Sequence, residues 1–580
     1  MSLTRPLHRL ATHRLPLRAT AIASAALAAT LGAGNALAFE IDTGNPDLTV
    51  RWDNTPRLNA AWRMNSRDPK IGNSPIADEG TYSFDKNDAV AKRVDWLTEL
   101  DVVYKKNFGG RISAAGWYDG AYDDVSKRNP AASPLYTPSY VGNKYSEYIN
   151  RLYQGPGGEL LDAFVFARFD LGESPASVKF GRHTLYWGES LFLGGNLNGI
   201  AYAQNPLDLQ KGFATPGVEA KELFRPLNQL SGQAALSDTL TIAGQYFFEW
   251  ESFRYPEGGT YLGPVDFAFN GPDGQILSRA QLGLPTGAPA GFFFSRGAAA
   301  EPKQRGDWGL SARWSPEWLD GTMGFYYRNY SDKLPQTFIT SLPAPLGAGA
   351  RYNLIYKDNI DLFGVSLAKN VGGVSLGAEL SYRHNTPLNS VVLGNASKSG
   401  LPTAGNTPGP VGDTVHGLVN LLGVIPKTAV FDAATWATEL TWAHLKSVDS
   451  GADLFNGLGY KSCTGKDKWD GCVTSNYYGL ALAFTPTWYQ VFPGTDLSLP
   501  VSYSIGLSGN APTVFGGNQG LGNYAIGVGA DIFQKYRIDI KYSDYVGRYK
   551  DNGTAVTAVN GFTTYLKDRG FLGVTFKTTF

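Results

Sequence analysis

Through much of this chain large apolar residues alternate with polar or small ones, the period of two that belongs to extended strands with one dry face and one wet face. Trp96, Leu100, Val102 and Tyr104 fall on one side of such a segment and Glu99 and Asp101 on the other; Asn107-Phe-Gly-Gly110 then turns the chain into Ile112, Ala114 and Tyr118. The same unit recurs around Gly172-Glu-Ser-Pro175 and around Ser237-Asp-Thr239, where Leu240, Ile242, Tyr246, Phe248 and Trp250 make one apolar face. Further on, Trp308, Leu310, Ala312 and Trp314 oppose Ser311 and Arg313, and Val374, Leu376, Leu380 and Tyr382 oppose Ser375, Glu379, Ser381 and Arg383. Trp436, Leu440 and Trp442 oppose Glu439 and Thr441, and Tyr536, Ile538, Ile540 and Tyr542 oppose Arg537, Asp539 and Lys541.

Seventeen such strands are readable: 48–62, 96–104, 112–118, 162–170, 176–187, 230–236, 240–252, 306–315, 321–330, 360–368, 374–384, 436–442, 478–489, 497–508, 523–533, 536–547 and 571–580. Because a bilayer offers no hydrogen bonds to backbone, a β protein crosses it only as a closed barrel, and a bacterial barrel with both termini on one side has an even strand number. The expectation is therefore an all-β, antiparallel transmembrane barrel of about eighteen strands, with the weak segment 453–462 as the missing one. Sixteen is the alternative if 230–252 belongs to the loops. Short turns are expected on the periplasmic side, and on the outside long loops at 65–93, 122–160, 188–229, 253–304, 331–359, 385–433, 463–477, 509–522 and 548–570. Several of these are rich in apolar residues, which suits loops folded inward or capping the barrel.

Composition supports this reading. Aromatic residues are 13% of the chain, with 69 glycines but only 3 methionines and 2 cysteines. Arg5, Arg9, Arg14 and Arg18, an apolar run from Ala19 to Leu31 and Ala36-Leu-Ala38 read as a cleaved signal peptide over 1–38, leaving 39–580 as one barrel domain. The precursor is formally neutral, with 51 basic and 51 acidic residues; loss of 1–38 leaves 47 against 51, a net charge of −4, which excludes a basic field for nucleic acid. Outside the leader no apolar run is long enough for a helical span. The terminal strand alternates Leu572, Val574 and Phe576 with Gly573, Thr575 and Lys577 and ends in Phe580, resembling the signal read by the barrel assembly machinery, with Thr578 standing where a large apolar residue is usual.

The segment joining the strands at 176–187 and 230–236 is too long for an ordinary connection and too apolar for disorder, so it is read as an ordered working loop. Its pieces, Gly181-Arg-His-Thr-Leu-Tyr-Trp-Gly-Glu-Ser190, Asn205-Pro-Leu-Asp-Leu209 and Pro216-Gly-Val-Glu-Ala-Lys-Glu-Leu-Phe-Arg-Pro226, resemble in this order an outer-membrane family, the domain of unknown function thirteen-hundred-and-two. Trp96-Leu-Thr-Glu-Leu-Asp-Val102, Gly306-Asp-Trp-Gly-Leu310 and Leu499-Pro-Val-Ser-Tyr503 are similar to further pieces of it. The resemblance implies an outer-membrane barrel of a Gram-negative bacterium, found beside transporters of the resistance-nodulation-division (RND) type and a periplasmic protein resembling lipoprotein-sorting factors. It adds Asn205, Pro206, Asp208, Pro216, Gly217 and Glu219 as recurrent positions without a known role.

From the residues themselves, Arg182, Trp187, Glu189, Lys221, Glu222 and Arg225 form a mixed-charge set beside apolar groups. This suits a loop bent into the lumen, either narrowing a path or serving as a structural plug. Cys463 and Cys472 are expected to form a disulfide that contributes about 2 to 3 kcal/mol at most and pins a loop. The histidines left after the leader, His183, His384, His416 and His444, sit in no GxSxG or His-Asp motif, although Ser190 and Asp208 follow His183. No catalytic site, metal or cofactor is expected, the spacing of Asp119, Asp123 and Asp124 matching no calcium loop. The leading function is transport of hydrophobic or amphipathic molecules, such as lipid, aromatic or steroid-like compounds, between outer membrane and periplasm. A diffusion porin for small polar solutes is the alternative, and a hydrolase or structural surface barrel a third reading without residues to carry it.

Overall fold

The structure, a computed structural model, describes residues 39–74, 76–123, 139–214, 220–278, 291–341, 349–391, 403 and 405–580. Eighteen strands form one antiparallel wall: β1 (Leu48–Arg63), β2 (Ala89–Tyr104), β3 (Phe108–Asp119), β4 (Gly157–Leu171), β5 (Ser174–His183), β6 (Leu227–Ala235), β7 (Leu240–Phe247), β8 (Trp308–Trp314) and β9 (Gly321–Tyr330) make the first half. The second half is β10 (Ile360–Val371), β11 (Val374–Pro387), β12 (Val411–Ile425), β13 (Ala433–Ser450), β14 (Asn476–Phe492), β15 (Thr495–Ser498 and Val501–Ser508), β16 (Gly522–Ile532), β17 (Tyr536–Val546) and β18 (Phe571–Thr578). Each pairs with its sequence neighbour, and β1 pairs with β18 from Arg57↔Lys577 to Arg63↔Phe571, closing the barrel. Short turns lie at one end and nine long loops at the other. The predicted signal segment and Asp124 lie outside the described residues.

The dyad read from sequence sets the two faces. Leu58, Trp96, Ile112, Val165, Phe180, Leu310, Phe363, Leu380, Leu440, Ile526 and Ile540 are all exposed on the outside, while Arg57, Glu99, Glu379, Arg383 and Glu439 are buried inside. Large apolar side chains so exposed all around a closed sheet make a membrane-spanning barrel of the outer-membrane type. Among the described residues no helix is long and apolar enough to cross a membrane, so strands alone span.

Three sequence readings need correction. The missing strand is β12, not 453–462, which is loop carrying only isolated bridges at Phe455 and Gly457 among the described residues. Val415, Gly417, Val419 and Leu421 face out, but the inward set His416, Leu418 and Asn420 contains a leucine that is 3% exposed and lies against Gly199. An apolar residue on the wet face hid the alternation. Secondly, β5 ends at His183 and β7 at Phe247, short of 187 and 252, and Trp250 is buried under Tyr356, with its indole N–H donating to the Asp332 carbonyl at 3.2 Å, instead of facing lipid. Thirdly, β6 and β7 are wall strands, so the sixteen-strand alternative fails.

The loops carry their own core. The first (64–88), third (184–226), fourth (248–307), fifth (331–359) and ninth (547–570) bury Ile71, Leu207, Tyr255, Phe267, Tyr352 and Tyr565 in one cluster over the mouth. Gln336–Ser341, Arg351–Ile355, Gly291–Arg296 and Gly274–Ser278 add a small four-stranded sheet. Two fully buried arginines hold the cap, Arg63 from the end of β1 and Arg569 from within the ninth loop. Arg63 donates to the Thr81 and Phe84 carbonyls at 2.7 Å and to Asp568 at 2.9 Å; Arg569 donates to the carbonyls of Tyr261 at 3.0 Å and Gly263 at 2.6 Å. In the seventh loop Cys463 and Cys472 form the expected disulfide, with Cα atoms 6.1 Å apart.

At the seam the chain end extends beyond β18: Asn54 N–H donates to the Phe580 carbonyl at 2.8 Å, Phe580 N–H to Asn54 at 3.0 Å, and the Phe580 ring meets Trp96 edge-on. Phe576 lies on the outward face of the same strand. Deletion of Phe580 removes two seam bonds and an aromatic contact, so the amount of heat-modifiable barrel recovered from membranes should fall several-fold. Wild-type recovery would show that the terminal residue is dispensable.

Candidate functional site

Beyond His183 the chain leaves the wall and runs into the lumen as the third loop. A loop inside a barrel brings backbone amides that need acceptors, and inward glutamates supply them. The Glu379 carboxylate accepts the N–H groups of Glu189, of Ser190 at 3.0 Å and of Ile200 at 2.6 Å. Glu439 accepts those of Leu191 at 2.7 Å and Phe192 at 3.2 Å. Inward donors take the loop carbonyls: Asn420 that of Glu189 at 2.6 Å, Arg383 that of Gly199 at 2.8 Å, and Arg328 those of Ile200 at 2.9 Å and Tyr202 at 2.6 Å. The approach is so close that a Cβ on Gly188, which has φ +105°, would collide with the Glu379 carboxylate, and one on Gly195 with that of Glu439.

The side chains singled out from sequence take these places. Trp187 is buried against Tyr326, its N–H donating to Gln204 at 2.8 Å. The Glu189 carboxylate accepts from Ser366 at 3.3 Å. Asn205 donates to the Leu185 carbonyl, and Asp208 pairs with Arg254 at 3.0 Å. Glu222 reaches across to Arg57 of β1 at 2.8 Å. Arg182 pairs with Glu249 at 2.7 Å and Glu251 at 3.1 Å, and Arg225 with Glu251. Pro216, Gly217, Glu219 and the Lys221 side chain lie outside the described residues. Arg182 is the exception to the lumen set: it lies two positions from the outward Phe180, so it belongs to the outer face of β5.

Glu379, Arg383, Asn420, Glu439 and Arg328 are the residues that hold the loop, and none entered the sequence-derived site. Their signal was present as bulky polar groups at inward positions of β9 and β11 to β13. By contrast, β15 to β17 turn inward Ser502, Ser504, Asn523, Ala525 and Ser543, small and partly wet, with Arg537 paired to Asp539 at 2.8 Å. The loop is thus bonded to one side of the lumen, while these residues of another side stay partly exposed.

The loop's apolar groups are only partly sheltered. Leu191, Phe192 and Leu193 remain half-buried beside the Glu439 anchor. At the mouth Phe213 and Phe515 are likewise partly buried against the buried Tyr255 and Phe269: Phe515 stacks on Tyr255, with centroids 4.5 Å apart, and Phe213 meets Tyr255 edge-on. His183, Ser190 and Asp208 are not brought together: His183 bonds Ser231 at 2.7 Å, Ser190 bonds Tyr186, and Asp208 bonds Arg254. Among the described residues one group, His384, Asp413 and Asp449 at the outer rim, brings potential ligand atoms within 4.8 Å of one another. Lys446, 3.5 Å from the Asp413 carboxylate, supplies a positive charge there.

Buried acids also punctuate the cap. Burial raises Glu257 to about 8 although Gly271 N–H donates to it at 2.7 Å, and burial raises Asp266 to about 6. Glu79 is raised by burial and then by Asp266. Unfolded carboxyls titrate near 4, so the stability these acids contribute is complete below ~4 and is lost as pH rises through about 6 and then about 8. Hydrogen exchange over 251–275, corrected for intrinsic rates, should be faster at pH 9 than at pH 5; the reverse order would overturn the assignment of neutral buried acids.

Removing the Glu379 carboxylate leaves three buried amides without acceptors, at about 1 to 3 kcal/mol each. Glu379→Ala, and to a smaller degree Glu439→Ala, should leave a heat-modifiable barrel whose 184–214 segment is cut faster by added protease. Unchanged cleavage in both variants would mean that other contacts fix the loop.

No curated protein matches the sequence. Solved structures similar to this chain include Pseudomonas aeruginosa OpdK with vanillate, at 10% identity and TM-score 0.38 over 92% of this chain and 98% of that one. A BenF-like porin from Pseudomonas fluorescens Pf-5 is similar at 9% identity and TM-score 0.40 over 92% and 98%. The outer-membrane channel DcaP of Acinetobacter baumannii is similar at 11% identity and TM-score 0.36 over 94% and 99%. One family model matches residues 19–580, and the chain belongs to that family, described as protein of unknown function (DUF1302).

Proposed function

We propose that this protein is an outer-membrane barrel of a Gram-negative bacterium that passes hydrophobic or amphipathic molecules between the membrane and the periplasm. The observation that carries the reading is the third loop, held across the lumen by Glu379 and Glu439 while Leu191, Phe192 and Leu193 stay half-buried on it. Apolar side chains left half-wet cost free energy, about 25 cal/mol for each Å² of apolar area not removed from water, and an apolar solute covering them recovers it. The partly exposed Phe213 and Phe515 at the mouth supply a second apolar station in this reading. A resistance-nodulation-division transporter and a lipoprotein-sorting-like periplasmic protein are the partners in this reading, with an exported precursor whose leader is cleaved after Ala38.

The porin alternative draws support from the partly exposed inward residues of β15 to β17, which are polar or small and suit polar solutes. Planar-bilayer conductance and uptake of the apolar dye N-phenylnaphthylamine separate the two. The transport reading expects little steady conductance, and dye uptake that falls at least threefold when Leu191, Phe192 and Leu193 are all changed to Ser. A steady ohmic pore together with unchanged dye uptake in the triple variant would move the assignment to a porin.

A further inference from the structure

The barrel wall is notched. β5 pairs with β4 only from Ala163↔Arg182 to Leu171↔Ser174, so Gly157–Asp162 of β4 has no strand partner on that side among the described residues. Beyond it β6, β7 and β8 are 9, 8 and 7 residues long, against 15 in β4 and 18 in β13. Eight residues at about 3.3 Å, tilted by about 40°, rise ~20 Å, less than the ~25 Å apolar band of such barrels. On this side the upper wall is therefore made by the third and fourth loops.

A cavity of about 440 Å³ fills the notch. Leu160 and Ala163 line its membrane side, Leu160 being exposed to lipid and Ala163 lying two positions from the outward Val165. Arg151, Arg182, Arg225 and Arg254 line it with Glu159 and Glu251. Behind them Glu159 pairs with Arg254 at 2.7 Å and with Lys211 of the third loop at 2.8 Å, so the cavity reaches from the membrane face to the lumen loop. Glu249 and Asp208 balance part of this charge. The exposed Arg151 guanidinium has no partner among the described residues, and Nε of Arg225, a residue 7% exposed, has no hydrogen-bond acceptor.

We infer that the notch is a lateral portal that takes the anionic head of an amphiphile, a carboxylate or a phosphate, among these arginines while its tail lies along Leu160 and Val165 in the outer leaflet. The inference deepens the transport reading and rests on it. Arg182, Arg225 and Arg254 already have acidic partners, so an uncharged hydrocarbon would leave the Arg151 guanidinium and Nε of Arg225 unmet, whereas a headgroup oxygen supplies the acceptor both lack.

The test uses the purified full-length barrel in maltoside detergent, with dansyl-undecanoic acid and the matching dansyl alcohol as probes. The acid should bind at least tenfold more tightly than the alcohol, and Arg151→Gln, which strands no acid, should remove about tenfold of that preference, as loss of a hydrogen bond to a charged group does. Ala163→Trp, which fills the membrane side without altering charge, should block both probes. Competition by lysophosphatidylglycerol assigns the head to a membrane lipid, and its absence to a free acid; either outcome agrees with the portal. Equal affinity for acid and alcohol, or a preference untouched by Arg151→Gln, overturns the portal. If dye uptake still depends on Leu191, Phe192 and Leu193 in that case, the transport reading stands without it.

Discussion

Unpaired backbone has no solvent in a bilayer, and that constraint orders the whole molecule. It closes β1 on β18, it makes Phe580 reach past the last strand to bond Asn54, and it continues inside the barrel. The third loop leaves the ladder after His183 and carries amides and carbonyls into the lumen. Glu379 and Glu439 act there as acceptors, and Arg328, Arg383 and Asn420 as donors, in place of a neighbouring strand. Charged wall residues thus serve two conditions at once: they keep the inward face polar and they substitute for β pairing.

This arrangement also decides where the loop lies. Bulky inward polar groups stand on β9 and β11 to β13, and small inward residues on β15 and β16, while on β17 Arg537 and Asp539 pair with each other. A loop bonded to the first set is drawn toward that side, and Gly188 and Gly195 let its backbone close onto the carboxylates. The fourth, fifth and ninth loops then pack above it, because Tyr255, Phe267 and Tyr352 have no other dry place outside the membrane. Arg63 and Arg569 terminate the carbonyls of that layer as the glutamates terminate its amides below.

Most of the barrel was legible because the dyad is a direct image of the two faces: Leu310 against Ser311, Leu380 against Glu379, Ile540 against Asp539. It failed at β12, where Leu418 faces inward to meet the loop, so the residue that packs the site is the one that obscured the strand. It overran at Trp187 and Trp250, which continue the alternation in sequence but turn into the cap. The loop's residues were visible as a mixed-charge, apolar segment, yet their partners were not. Glu222 with Arg57 and Asp208 with Arg254 join positions far apart in sequence, and no local pattern encodes such a pairing.

The constraint that closes the barrel also accounts for the character of its notch. Among the described residues the groups of β4 along Gly157–Asp162 that point away from β3 lack a strand, and in hydrocarbon each would cost several kcal/mol. The gap is therefore stable only if water or polar side chains fill it, and the chain places arginines and glutamates there from β4, from β5 and from three separate loops. A wet, charged break at the edge of an apolar band is amphipathic in the same sense as a lipid acid. The short β6, β7 and β8 and the arginine-lined cavity are thus one feature: removing strand length opens the wall, and the opened wall must be polar on its inner side while Leu160 and Val165 keep it apolar on its outer side.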